Sequence, residues 1–144
     1  MKLNTYLNFD GNCKAAFETY AQLLGGKVIA MMSYADSPGC EGMSPNDTGL
    51  IMHGCVQLGD DVLMGTDSTP DYPYQPIRCA YVTLNVDEPA EADRIFAALA
   101  EGGKVEMPIQ ETFWAKRYGI TVDRFGVPWM VNCVSEACPP QTVS

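Results

Sequence analysis

A chain of 144 residues suffices for one compact domain, or for two half-sized modules sharing a core. Hydrophobic residues make up 47% and charged residues 19%, which excludes a disordered chain. The formal net charge of -9 excludes a nucleic-acid partner, because phosphate binding needs clustered Lys and Arg, and it favours cationic partners instead.

The opening "MKLNTYLNFDG" lacks the apolar centre of a signal peptide, and no stretch reaches the length of a membrane span. A cytoplasmic location without membrane contact is expected. From Asn4 to Phe9 residues alternate, with Thr5, Leu7 and Phe9 on one face and Asn4, Tyr6 and Asn8 on the other, as in a strand. An amphipathic helix follows, with Asn12 or Asp10 as its N-cap, and it ends at "GGKV", where a glycine suits the left-handed helix terminus. "KVIAMMSY" reads as the next strand. "ADSPGCEGMSPNDTG" is a long turn-rich connection, either a lid or a solvated link. Two more strands, "GLIMHGCVQL" and "DVLMGT", complete the first half. "STPDYPYQPIR" reads as a linker.

The order then recurs. "YVTLNVDEPAEADRIFAALAEGGKV" repeats strand, capped helix (Asp87) and the same four letters, and three strands follow in "KVEMPIQETF", "RYGITVD" and "VPWMVNCV". The reading is an α+β domain, residues 1–144, of two tandem βαβββ modules forming a curved mixed sheet around a cavity. The first module is 1–67, the linker 68–78, the second module 79–134 and a loose tail 135–144. One face of each sheet is apolar and suits a covering helix. In the His53 strand, Leu50, Met52, Val56 and Leu58 are placed on that face, and Ile51, His53, Cys55 and Gln57 opposite. In the fifth strand Cys79, Tyr81, Thr83 and Asn85 oppose Ala80, Val82, Leu84 and Val86. The second rows are semi-polar and suit the wall of a ligand cavity.

Six cysteines (Cys13, Cys40, Cys55, Cys79, Cys133 and Cys138) show no metal spacing, and most lie in apolar runs. Free thiols filling the core are expected, with Cys40 and Cys138 exposed.

His53 is the chain's one histidine. It is read either as a buried, hydrogen-bonded side chain, or as a metal ligand with Asp67 or Glu111, or as a base oriented by Gln57 or Tyr6. "MPIQETFWAKRYG" gathers Gln110, Glu111, Trp114 and Tyr118. Trp114 is either a stacking plate for a planar ligand or a plug at the core edge. Glu111 is close enough in sequence to pair with Lys116 or Arg117. Asp123 is read as the cap of the turn before Gly126, Asp67 as its counterpart in the first module, and Trp129 as core.

Tandem βαβββ units with "DRFG" before the last strand resemble the vicinal oxygen chelate superfamily, which includes glyoxalase I, bleomycin-resistance proteins and extradiol dioxygenases. "YLNFDGNCKAAFETYAQLLGGKV", "IMHGCVQLGDDVLMGTD" and "QETFW…DRFGVPWM" resemble its PhnB-like branch across nearly the whole chain. The resemblance implies a homodimer. It also implies a divalent-metal site, with ligands from the opening and closing strands of each module. Those positions hold Asn4 (or Thr5), Met64, Tyr81 and Met130 here, and none is a His or a carboxylate. No cofactor is therefore expected. The ligand cavity is read as His53, Gln110, Trp114, Tyr6, Gln57, Tyr81 and Glu111, taking a small organic molecule as the drug-sequestering relatives do. The alternative is a lyase, isomerase or dioxygenase with a relocated divalent metal. Members of this branch also carry a methyltransferase label, yet no strand here leads into a Gly-rich nucleoside loop.

Overall fold

The structure, a computed structural model, describes residues 1–134, so the expected tail with Cys138 lies outside the described residues. The described residues form two compact units, divided between Gln75 and Pro76. The first contains β1 (Thr5–Phe9), α1 (Cys13–Leu24), β2 (Lys27–Ser33), a 3-10 turn (Tyr34–Asp36), β3 (Ile51–Leu58) and β4 (Asp61–Asp67). The second contains β5 (Val82–Asn85), α2 (Pro89–Ala100), β6 (Lys104–Gln110), β7 (Ala115–Val122) and β8 (Pro128–Val134). The expected α+β fold of tandem βαβββ modules is present, as two mixed four-stranded sheets ordered β1-β4-β3-β2 and β5-β8-β7-β6. In each, the opening strand runs parallel to the closing strand, and the other pairings are antiparallel.

Each helix buries one stripe: Cys13, Ala16, Phe17 and Tyr20 in α1, and Ala92, Ile95, Phe96 and Leu99 in α2. That i, i+3, i+4, i+7 spacing puts four side chains on the face turned to the strands. Glycines in the strands receive the aromatic rings. A Cβ on Gly54 would lie 2.9 Å from the Phe17 ring, on Gly65 2.8 Å from it, and on Gly119 2.7 Å from Phe96.

The repeated "GGKV" has a different cause at each glycine. Gly25 (φ 69°) and Gly102 (φ 72°) adopt the left-handed conformation, at the C-cap of α1 and one residue beyond that of α2. Gly26 and Gly103 have no room for a side chain. A Cβ on Gly26 would meet the Gln57 carbonyl at 2.6 Å, and one on Gly103 would overlap the Val122 carbonyl.

The N-terminal caps differ from expectation. Asn12 makes no capping bond; the buried Asp67 carboxylate reaches across from β4 and accepts from the Cys13 N–H (2.9 Å) and the Ile51 N–H (2.8 Å). A carboxylate at a helix N-terminus also meets the positive end of the helix dipole. In α2 the N-cap is Glu88 rather than Asp87, and Pro89 opens the helix, where its missing N–H is no loss. Asp123 does cap its turn, accepting from the N–H groups of Phe125 and Val127 (both 2.9 Å) and from Trp129 Nε1 (2.8 Å), and Trp129 is fully buried. Asp67 is therefore a helix-to-strand clamp, and Asp123 a turn-to-core clamp.

The strand faces follow the expected alternation in β1 and β5. In β3 they do not: Ile51 and Cys55 are buried although they were placed on the semi-polar row. Irregularities in the β2–β3 register, and the tie from Ile51 N–H to Asp67, shift that strand locally. Of the cysteines, Cys13, Cys55 and Cys133 are buried, Cys40 is half-buried rather than exposed, and Cys79 is exposed rather than core. The turn-rich connection is fastened at its base by Tyr34 N–H to Leu50 O (3.0 Å) and Ala35 N–H to Thr48 O (2.9 Å). Among the described residues no helix is long and apolar enough to cross a membrane.

Candidate functional site

In the first unit α1 covers one face of the sheet, as the contacts of Phe17 with Gly54 and Gly65 show, and the opposite face carries the exposed Tyr6 and Asn8 and the half-buried His53, Met64 and Thr66. Strand pairing sets Tyr6 beside Met64 and Asn8 beside Thr66, and sets Met32 beside His53. The Tyr6 and His53 rings stack with centroids 6.1 Å apart and 28° between planes. Burial pushes the Tyr6 hydroxyl above its ordinary range, with a smaller push from Cys13 and an opposing hydrogen bond with Thr66. His53 is half-buried, and among the described residues its side chain has this stacking contact and no hydrogen bond, so the expected satisfied buried histidine is not what forms. Gln57 does not orient it; its Nε2 donates to Gly59 O (3.2 Å) in the β3–β4 turn. Asp67 is equally unavailable to share a metal, since both oxygens hold backbone N–H groups. Farther along this unit, Asn8, Tyr34, Thr66 and Tyr72 line a cleft of about 270 Å³.

In the second unit α2 packs on the Gly119 side of the sheet, and the other face carries Tyr118, Ile120, Met130 and Asn132 in paired positions. Gln110 pairs with Tyr118 across β6 and β7. The four-residue β6–β7 connection presents Trp114, 39% exposed, with its ring 5.5 Å from Tyr118 and 4.7 Å from the exposed Phe113. Trp114 therefore does not plug the core. The Tyr118 hydroxyl donates to Met130 Sδ at 3.3 Å. Gln110, Trp114 and Tyr118 thus come together, whereas Glu111 is exposed and Arg117 pairs with Asp93 of α2 (2.9 Å) instead of with Glu111. Tyr81, just before β5, meets Glu106 of β6, and that carboxylate, ahead of burial, pushes its phenol up. Strand alternation did not single out Glu106, because two register irregularities interrupt β6.

The four positions where the superfamily's catalytic members carry ligands do not fit a hard divalent ion. Asn4 is an exposed amide, Met64 a thioether beside Tyr6, Tyr81 a phenol held protonated, and Met130 a thioether already accepting a hydrogen bond. Among the described residues no three His, Cys, Asp or Glu side chains are gathered to hold an ion.

Over residues 1–132 the chain matches the family described as 3-demethylubiquinone-9 3-methyltransferase. It is 35% identical to Protein YjdN of Escherichia coli (strain K12) over 149 residues, spanning 94% of this chain and 97% of that protein. The chain belongs to this family. Solved structures share its fold. Protein PA1353 from Pseudomonas aeruginosa shares 47% identity with a TM-score of 0.86, covering 93% of this chain and 98% of that one. A PhnB protein from Bacillus cereus, described as a putative 3-demethylubiquinone-9 3-methyltransferase, superimposes with a TM-score of 0.76 at 23% identity, covering 93% and 100%. At the level of fold alone, the fosfomycin resistance protein FosX from Listeria monocytogenes, solved with Mn(II) and dihydroxypropylphosphonic acid, matches with a TM-score of 0.64 at 8% identity over 95% and 94% of the two chains.

Proposed function

We propose that this family member is a cytoplasmic, homodimeric binding protein that takes a small, planar, cationic organic molecule on the open face of its second sheet. The observation that carries the reading is the Trp114–Tyr118 pair with Gln110 alongside: a partly exposed ring face with one amide to set orientation. Aromatic faces attract cations, by roughly 0.5–2 kcal/mol depending on desolvation. The net charge of -9 favours the same sign of ligand at longer range. Thioethers and amides at the usual metal-ligand positions support binding without chemistry. The Tyr6–His53 stack is read as the corresponding wall of the first sheet.

The two tryptophans make the test clean, because Trp129 is fully buried and Trp114 is not. Titration with a planar phenanthridinium cation is expected to quench Trp114 emission saturably. Trp114→Ala should remove the quenching, and an uncharged phenanthridine at a pH where it is neutral should bind at least several-fold more weakly. Equal binding of the neutral ring, or quenching that survives the substitution, would refute the reading.

A further inference from the structure

The second unit contains a cleft of about 380 Å³ that the aromatic wall does not use, with Pro76, Ile77, Val122 and Pro128 as apolar lining and Arg78, Tyr81 and Glu106 as polar lining. Its size is at the small end for ligand pockets and suits a metabolite rather than a peptide. Neither of its two charged residues belongs to the ion pairs found among the described residues. Arg94 is paired with Glu91, Arg117 with Asp93, and Arg124 lies over the Phe125 ring at 4.5 Å. Arg78 is the arginine that has no acidic or aromatic partner among the described residues, and Glu106 meets a neutral phenol rather than a cation.

We propose that this cleft binds a small zwitterion with an apolar side group, such as an aliphatic α-amino acid. Arg78 takes the carboxylate, Glu106 takes the ammonium group, and the side group lies against Ile77 and Val122. A guanidinium presents two parallel N–H donors that match a carboxylate, and a carboxylate is the natural acceptor for an ammonium. Tyr81 is a positioning residue. Its phenol stays protonated because Glu106 and burial push it up, so it donates to one side of the Glu106 carboxylate and leaves the other for the ligand. Cys79, between Arg78 and Tyr81, has φ 57° and is the non-glycine in the left-handed region among the described residues, a conformation that L side chains rarely adopt.

Trp114 does not line this cleft, so Trp114→Ala should leave its binding unchanged. The experiment is isothermal calorimetry on the full chain with leucine, valine, methionine and proline. It is run beside the half-charged analogues 4-methylpentanoate, which lacks the ammonium group, and 3-methylbutylamine, which lacks the carboxylate. At least one amino acid should bind saturably, and each half-charged analogue at least ten-fold more weakly. Arg78→Gln should lower amino-acid affinity to about that of the amine, and Glu106→Gln to about that of the carboxylate. Both side chains are exposed, so circular dichroism should show both variants folded. No saturable binding by any of the four amino acids would overturn the proposal. So would equal binding of the half-charged analogues, or affinities unmoved by both substitutions.

Discussion

The two units share strand order, parallel closure and a helix stripe of four buried residues, and they differ in the connection between their second and third strands. In the first unit residues 34–50 make that link, through a 3-10 turn and bonds fastened at Tyr34 and Ala35. In the second it is residues 111–114, a short hairpin that presents Phe113 and Trp114. The buried carboxylates also moved, from the end of β4 in one unit to the end of β7 in the other. Packing holds the shared parts in place, because a glycine pressed against a backbone carbonyl or a Phe ring admits no replacement. Loops carry no such constraint, and they are where the candidate ligand contacts diverge.

Substitutions in equivalent layers sharpen this contrast. The largest effect is expected where a helix aromatic enters its sheet: Phe17→Ala should lose about 3–5 kcal/mol and Phe96→Ala somewhat less, read from urea denaturation. Phe17 is fully buried against two strand glycines, whereas Phe96 meets one. Equal losses would mean that the second glycine adds nothing. Next come the clamps. Asp67→Ala and Asp123→Ala should each lose roughly 1–3 kcal/mol per orphaned buried donor. Only Asp123→Ala should alter Trp129 emission, because only that carboxylate accepts from its indole. A change of emission in both variants would break the assignment of separate clamps.

An effect absent at neutral pH, and felt only above pH 9, is a proton linkage in the first unit. Burial, then the Asp67 charge, pushes the Cys13 thiol from 9.0 up to about 12. Above pH 9 the unfolded thiol ionises while the folded one keeps its proton, so stability from this group is complete below pH 9 and is lost as pH rises to 12. Cys13→Ala should flatten that part of the stability profile. In the folded protein at pH 8, iodoacetamide should modify the exposed Cys79 well before Cys13, as peptide mass spectrometry would show.

Much of the fold was legible because its signals are local. The helix stripes are written at i, i+3, i+4, i+7, the opening strands β1 and β5 alternate plainly, and "DRFG" announces its own turn. What was not legible depends on pairs far apart in sequence. Asp67 caps a helix that begins 54 residues earlier, so no cap motif marks it, and Asn12 looked the better candidate. Cys55 and Ile51 defied alternation because the partner strand is irregular there. At the candidate site, Gln110, Trp114 and Tyr118 are close in sequence and were grouped together for that reason. The Tyr6–His53 stack and the Tyr81–Glu106 contact join segments far apart in sequence, and nothing in either segment alone announces them.

The parallel pairing of first strand with last also sets an order of events during synthesis. Residues Thr5 to Phe9 emerge early but find their partner only once Leu63 to Asp67 have been made, and Val82 to Asn85 wait likewise for Trp129 to Asn132. Each module must hold its opening strand unpaired through nearly its whole translation, while the antiparallel hairpins, whose contacts are local, form ahead of it. The tie from Cys13 N–H to Asp67 closes at the same late moment. A chain cut short just before β4 would therefore hold a helix and a hairpin with β1 and one edge of β3 unpaired.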